Sequence, residues 1–219
     1  MPELMVSIVK LIIIEDQAIL RELLVMACLK AIPSAEVKSA PNAKDGLTLC
    51  QSLQPAIVLL DIVLPDGDGI DLVSQIRSTV NEVKIIILSS HADEYTLYRS
   101  QIAGVNGFVD KNSQTLNILQ EAIRTVIDGK SYSCSVVQKV RARVRSDPLA
   151  FSKILSEREM ELLCLFGRGW SNEEVAAHTR LSPRTARNHR QNIMTKLNLG
   201  STPHLIRYAM EKGFTRIGD

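Results

Sequence analysis

Residues Ile57–Gly69, IVLLDIVLPDGDG, decide the fold. Four apolar residues in a row (Ile57, Val58, Leu59, Leu60) cannot alternate between a core and a solvent face, so they read as a central strand of a parallel sheet covered on both sides. Pro65, Gly67 and Gly69 then break the chain, leaving Asp61 at the C-terminal end of the strand. In open α/β sheets that is where ligands bind, in the crevice beyond the strand ends. A lone Asp at such a place more often caps a turn than reacts, so its role has to come from the rest of the chain.

Outward from this stretch the same grammar repeats. Val9–Ile14 is an apolar run ending in Glu15-Asp16, after which Ile19, Leu20, Leu23, Leu24 and Ala27 recur at helical spacing. A short strand near Glu36–Ala40 and a helix from about Asn42 to Ser52 lead to the central strand, and a helix near Ile70–Thr79 follows it. Then come a strand at Lys84–Ser89, a helix near Glu94–Ala103, a short strand at Gly107–Val109 and a helix from about Ser113 to Asp128. These five βα units predict an α/β doubly wound five-stranded parallel sheet, with helices on both faces and functional residues on the loops after the strands.

Those loops carry the chemistry: Glu15-Asp16 after the first strand, Asp61 after the third, Ser89 at the end of the fourth and Asp110-Lys111 after the fifth. Carboxylates gathered at adjoining strand ends repel one another, which a divalent cation relieves, and Mg²⁺ characteristically takes one or two carboxylates plus water and phosphate oxygens. Lys111 offers a point charge for an anion, and Ser89 a hydroxyl that can bond the same anion.

Taken together, Glu15-Asp16, Asp61 with Pro65 and Asp68-Gly69, Ser89-Ser90, and Phe108 three residues before Lys111 resemble the receiver domain of two-component response regulators. The resemblance implies the flavodoxin-like strand order 2-1-3-4-5 and phosphorylation of Asp61 by a partner histidine kinase. It further implies Mg²⁺ held by Asp16, Asp61 and the backbone carbonyl of Val63, assisted by Glu15, and a switch in which Ser89 moves toward the phosphoryl group while Phe108 turns inward. Asn112 follows Lys111 where many receivers have Pro, so no cis peptide is expected there. Val63 and His91 stand at variable positions of the family that influence the lifetime of the acyl phosphate.

Charge divides the chain. Residues 1–130 hold 11 Lys+Arg against 16 Asp+Glu, and residues 131–219 hold 15 against 8, a net −5 followed by +7. A basic second part suits a polyanion. Cys28, Cys50, Cys134 and Cys164 show no metal-ligand spacing and read as reduced thiols, mostly in cores. Lys10 and Glu15-Asp16 interrupt the apolar N-terminal region, which leaves no secretory segment and no membrane span, so a cytoplasmic protein is expected.

The expected domains are 1–129, a partly helical linker at 130–152 that carries Lys139, Arg141, Arg143 and Arg145, and an all-helical domain at 153–219. Two capping boxes, Ser156 with Glu159 and Ser171 with Glu174, each start a helix, and Ser182-Pro183 starts a third that runs to about Leu197. On the third, Ala186, His189, Ile193 and Leu197 share one face, while Arg184, Arg187, Asn188, Gln191 and Thr195 share another. Arg can read guanine, and Asn or Gln adenine, in the major groove. Arg184, Arg190 and Lys196 suit phosphates.

The segments LSEREMELL, GWSNEEVA, LSPRTARNHRQNIMTKLNL and HLIRYAMEKG resemble the helix-turn-helix output domain of the LuxR (NarL/FixJ) class. The resemblance implies a homodimer on double-stranded promoter DNA, with Arg184, Thr185, Arg187, Asn188, Arg190, Gln191 and Lys196 at the DNA and Leu205, Ile206, Ala209 and Met210 as apolar material for core and dimer contact. The expectation is therefore a non-enzymatic regulator whose dimerisation and promoter binding follow phosphorylation of Asp61. Two other readings compete. One is a DNA-binding regulator that keeps its receiver as a dimerisation module; the other is an aspartyl-phosphate phosphatase of the haloacid dehalogenase type, which wants an acid where Val63 stands.

Overall fold

The computed structural model describes residues 8–112 and 115–216. In chain order these form β1 (Lys10–Ile14), α1 (Ala18–Ala31), β2 (Glu36–Ala40), α2 (Ala43–Leu53) and β3 (Ile57–Asp61). A two-strand ribbon, β4 (Val63–Leu64) and β5 (Gly67–Asp68), leads into α3 (Gly69–Thr79), β6 (Lys84–Ser89), α4 (Glu94–Ile102), β7 (Gly107–Asp110), α5 (Leu116–Ile127) and β8 (Tyr132–Ser133). Helices α6 (Ser135–Ser146), α7 (Phe151–Ile154), α8 (Glu157–Gly167), α9 (Asn172–Thr179), α10 (Pro183–Lys196) and α11 (Thr202–Lys212) complete the chain. The start expected for α5, Ser113, lies outside the described residues.

Every residue of β3 is buried, as an unbroken apolar run requires. The sheet order is β2-β1-β3-β6-β7-β8, with all neighbours parallel. Its first five strands reproduce the expected doubly wound arrangement. The sixth, β8, was not foreseen: the chain turns at Gly129 (φ 82°), and Tyr132 N–H donates to the Asn106 carbonyl at 3.0 Å, so the sheet extends into the segment assigned to the linker. Two residues of mixed polarity leave too little pattern to read.

The pleat sends alternate residues to opposite faces. Leu11, Ile13, Ile57, Leu59, Ile86 and Leu88 pack with Leu24, Ala27 and Cys28 of α1 and Leu119, Ala122, Ile123 and Val126 of α5. On the other face α2 comes so close that a Cβ at Gly46 would run into the Ile14 side chain. Each fully buried Leu or Ile contributes about 1.5–3 kcal/mol. That burial anchors the strands whose C-terminal ends carry the acids.

Packing divides the chain into two units: one runs to Ala92 and resumes at Arg99–Gln138, and the other takes Asp93–Tyr98 and the chain from Lys139. In the second, Phe151, Met160, Leu162, Leu163, Phe166, Val175, Ala176, Ala186, Ile193, Leu205, Ala209 and Phe214 form one core. Both expected capping boxes are made, each Ser side chain accepting from the backbone of its Glu and each Glu reaching back to the Ser N–H. Among the described residues no helix is long and apolar enough to cross a membrane.

Candidate functional site

Parallel pairing puts the ends of β1, β3, β6 and β7 side by side, with Ile14 opposite Leu60, Asp61 opposite Leu88 and Ser89 opposite Asp110. Carboxylate oxygens of Glu15, Asp16 and Asp61 there lie within 4.8 Å of one another. Glu15 is fully buried and Asp61 only 4% exposed, while Asp16 is open to solvent. The Lys111 ammonium reaches both buried acids, 2.7 Å from Glu15 Oε2 and 2.8 Å from Asp61 Oδ2. Asp61 Oδ1 is engaged separately, accepting from the N–H groups of Ile62 at 2.7 Å and Val63 at 3.4 Å.

Burial pushes the Glu15 carboxyl above the ordinary range, and the Asp61 charge adds to the shift against the pull of Lys111. One ammonium thus pairs with two acids of a cluster of three. A hard divalent cation with oxygen ligands fits this set, since it would remove the residual repulsion and favour the ionised form of Glu15.

The loops around the acids are pinned. Gly69 is required at the start of α3 because a Cβ there would collide with the Asp61 backbone carbonyl. Ser89 is buried, and its Oγ accepts from His91 N–H at 3.0 Å. Phe108 is fully buried in β7. Val63, two residues after Asp61, is 51% exposed. Among the described residues no peptide bond is cis, and the Lys111-Asn112 loop is closed by the Asn112 side chain.

In the second unit, Ser182 caps α10 by accepting from Thr185 N–H at 3.1 Å, and Pro183 takes the first turn. Ala186 and Ile193 are fully buried, and Arg184, Arg187, Asn188 and Gln191 are exposed together, as the periodicity requires. Three of the residues assigned to DNA are otherwise engaged. Thr185 Oγ1 lies 2.8 Å from Ser182 Oγ, within the cap. Arg190 is half-buried with its guanidinium 5.6 Å from the centre of the Phe166 ring. Lys196 Nζ donates to Glu159 Oε2 at 2.7 Å. Burial alone would raise the Glu159 carboxyl, but bonds from Lys196 and Ser156 hold it below the ordinary range. Arg190 and Lys196 therefore fasten α10 to α8.

The four apolar residues of α11, expected to serve both core and dimer contact, divide between the two environments. Leu205 and Ala209 are 0% exposed, enclosed in the core of their own unit, and a Cβ at Gly167 would press on Ala209. Two side chains already surrounded by their own fold cannot also meet a second copy. Of the four, Ile206, half-buried, and Met210, 42% exposed, remain accessible on α11.

Residues 11–124 match the response regulator receiver domain, and residues 153–209 match the luxR family of bacterial regulatory proteins. The chain is a response regulator with a LuxR-type output domain. The oxygen regulatory protein NreC of Staphylococcus epidermidis is 33% identical over 216 residues, which cover 93% of this chain and 97% of NreC. Response regulator protein VraR of the same species is 28% identical over 176 residues, 80% of this chain and 83% of VraR. Among solved structures, RcsB of Salmonella enterica serovar Typhimurium, bound to promoter P1flhDC in the presence of the phosphomimetic BeF3−, shares the fold. The TM-score is 0.65 at 22% identity, over 91% of this chain and 97% of that one.

Three residues of this response regulator to which sequence reasoning gave no part in the site support the acids. Arg21 Nη1 donates to the backbone carbonyls of Glu15 at 2.7 Å and Asp16 at 3.1 Å, fixing the loop that presents both acids. Asp66, on the ribbon after Asp61, accepts from the N–H groups of Ala43 at 2.8 Å and Lys44 at 3.0 Å, the open donors at the start of α2. Those amides hold its carboxyl below the ordinary range. Asn112 is the third. All three bond to backbone, for which spacing gives no signal.

Proposed function

We propose that Asp61 is the phosphoacceptor of a histidine kinase and that its phosphorylation controls dimerisation and promoter binding. The observation that carries this reading is the Lys111 ammonium within 2.8 Å of Asp61 Oδ2 and Glu15 Oε2 at the ends of three strands. With Oδ1 held by the Ile62 and Val63 amides, Oδ2 is the attacking atom. Its lone pair forms the O–P bond of an acyl phosphate as the N–P bond to the kinase's phosphohistidine breaks and that electron pair leaves on the imidazole nitrogen. Lys111 then pairs with the phosphoryl oxygens, and Ser89, on exchanging its bond from His91 for one to the phosphoryl group, reports the change. Glu15, Asp16, Asp61 and the Val63 carbonyl would hold Mg²⁺, which supplies charge neutralisation for the transferring group.

At the output end, Arg187, Asn188 and Gln191 form the face that reads base edges, with Arg184 at a phosphate. Homodimers on paired half-sites follow, with Ile206 and Met210 at the contact between copies, and the protein works in the cytoplasm as a regulator rather than an enzyme. The exposed, apolar Val63 supports this over a phosphatase, because it offers no acid beside the nucleophile. The test compares Asp61→Asn with the wild type, each treated with a small phosphodonor and titrated onto promoter DNA over a range of salt. The reading expects tighter binding by the phosphorylated wild type alone; identical curves for the two proteins overturn it.

A further inference from the structure

We infer that Asn112 is a positioning residue that restrains the Ser89 loop and so sets how readily this receiver accepts a phosphoryl group. The inference rests on Asp61 being the phosphoacceptor. Two bonds tie the end of β7 to the residues following β6. Lys111 N–H donates to the Ser89 carbonyl at 2.9 Å, a continuation of the sheet. Beyond it, Asn112 Nδ2–H donates to the Ser90 carbonyl at 2.7 Å. The second bond is a side chain's, and the side chain is itself steadied, because Asp110 Oδ1 accepts from Asn112 N–H at 3.3 Å and from Nδ2–H at 3.4 Å.

Asn112 thus spans from a buried carboxylate to a carbonyl lying between Ser89 and His91, whose N–H occupies the Ser89 hydroxyl. In the proposed switch that hydroxyl gives up the His91 N–H as it turns to a phosphoryl oxygen, and the Ser89–His91 turn opens. The Asn112 bond is made to the middle of that turn, so it favours the closed arrangement and opposes the liganded one. A ligand that needs a minor arrangement binds more weakly in proportion to its rarity. Releasing the latch therefore strengthens binding at Asp61, by about two- to tenfold for one net hydrogen bond.

The effect is read with beryllofluoride and Mg²⁺ on the full-length protein, titrated by ¹⁹F NMR. Asn112→Ala is expected to bind beryllofluoride about two- to tenfold more tightly than the wild type. Asn112→Leu, near in size and without a donor, is expected to match it. In a Ser89→Ala background the Asn112→Ala gain should vanish, since the restrained group is gone, and the Mg²⁺ half-saturation should stay unchanged throughout. Equal affinities for Asn112→Ala and wild type, an undiminished gain in the Ser89→Ala background, or a shifted Mg²⁺ half-saturation each overturn the latch while leaving Asp61 in place. A wild type that binds no beryllofluoride, like Asp61→Asn, overturns the Asp61 reading and the latch with it.

Discussion

Arg187 and Arg190 lie three residues apart on α10 in different surroundings. Arg190 is half-buried with its guanidinium 5.6 Å from the Phe166 ring centre, while Arg187 is exposed. A cation over an aromatic face contributes about 0.5–1 kcal/mol when exposed and about 2 when desolvated, and the arginine stem adds packing. Arg190→Ala should therefore cost the helical unit about 1–2 kcal/mol, several degrees in its midpoint for a unit of this size. Arg187→Ala should leave stability within about 0.5 kcal/mol.

On DNA the order reverses. Loss of a bidentate contact to guanine removes about 1–3 kcal/mol of discrimination, so Arg187→Ala should bind target and random duplexes more nearly alike. Arg190→Ala should keep the wild-type dependence on salt, whereas removal of a phosphate contact would flatten the log–log slope by about 0.9. Calorimetric unfolding of the full chain and fluorescence-anisotropy titrations of both duplexes at several salt concentrations give all four quantities. An Arg190→Ala protein with an unchanged midpoint and a salt slope shallower by about one unit would show that Arg190 leaves Phe166 for the DNA, and the assignment of faces would be wrong.

Lys111→Met removes the ammonium that faces Glu15 and Asp61; it should abolish phosphorylation from a small donor, measured by phosphate-affinity electrophoresis, and push the Glu15 carboxyl higher still. The raised Glu15 carboxyl sets a pH dependence. Because the folded state binds this proton more tightly than the unfolded one, the contribution of Glu15 to stability is full below about 4.5 and is lost as pH rises through its raised value. Mg²⁺, which favours the ionised form, should therefore raise the melting midpoint of the first unit more at pH 8 than at pH 5, with proton release on binding, and a larger effect at pH 5 would reverse the assignment. Gly69→Ala drives a Cβ into the Asp61 carbonyl and should cost about 1–3 kcal/mol along with phosphorylation; a protein with unchanged denaturant midpoint would show that the loop has room to shift. Glu159→Gln leaves Lys196 without its charge partner and should lower stability at pH 7, where the wild-type carboxyl is ionised; the deficit should shrink only as pH falls through the lowered value of that carboxyl.

The acids and Lys111 were legible because each follows a strand end, and in a parallel sheet the ends of neighbouring strands are brought together whatever the side chains are. The caps were legible because a capping box is complete within four residues. Less legible was the step from helix face to intramolecular partner. Arg190 stands four residues after Ala186 and three before Ile193, both fully buried, so its position on the border of the packing stripe is present in the sequence. Lys196 carried no such signal, since Glu159 lies 37 residues away and becomes its partner only through folding. On α11, Leu205 with Ala209 and Ile206 with Met210 are adjoining pairs at the same four-residue spacing, and periodicity cannot tell which pair turns inward. The packing of Gly167 against Ala209 decides it. Arg21, Asp66 and Asn112 belong to a further class, because their partners are backbone groups and every residue but proline offers the same donor and acceptor. The acids and the lysine that gather at the strand ends could be found by type and spacing, but the residues that hold their loops in place could be found only from the path of the chain.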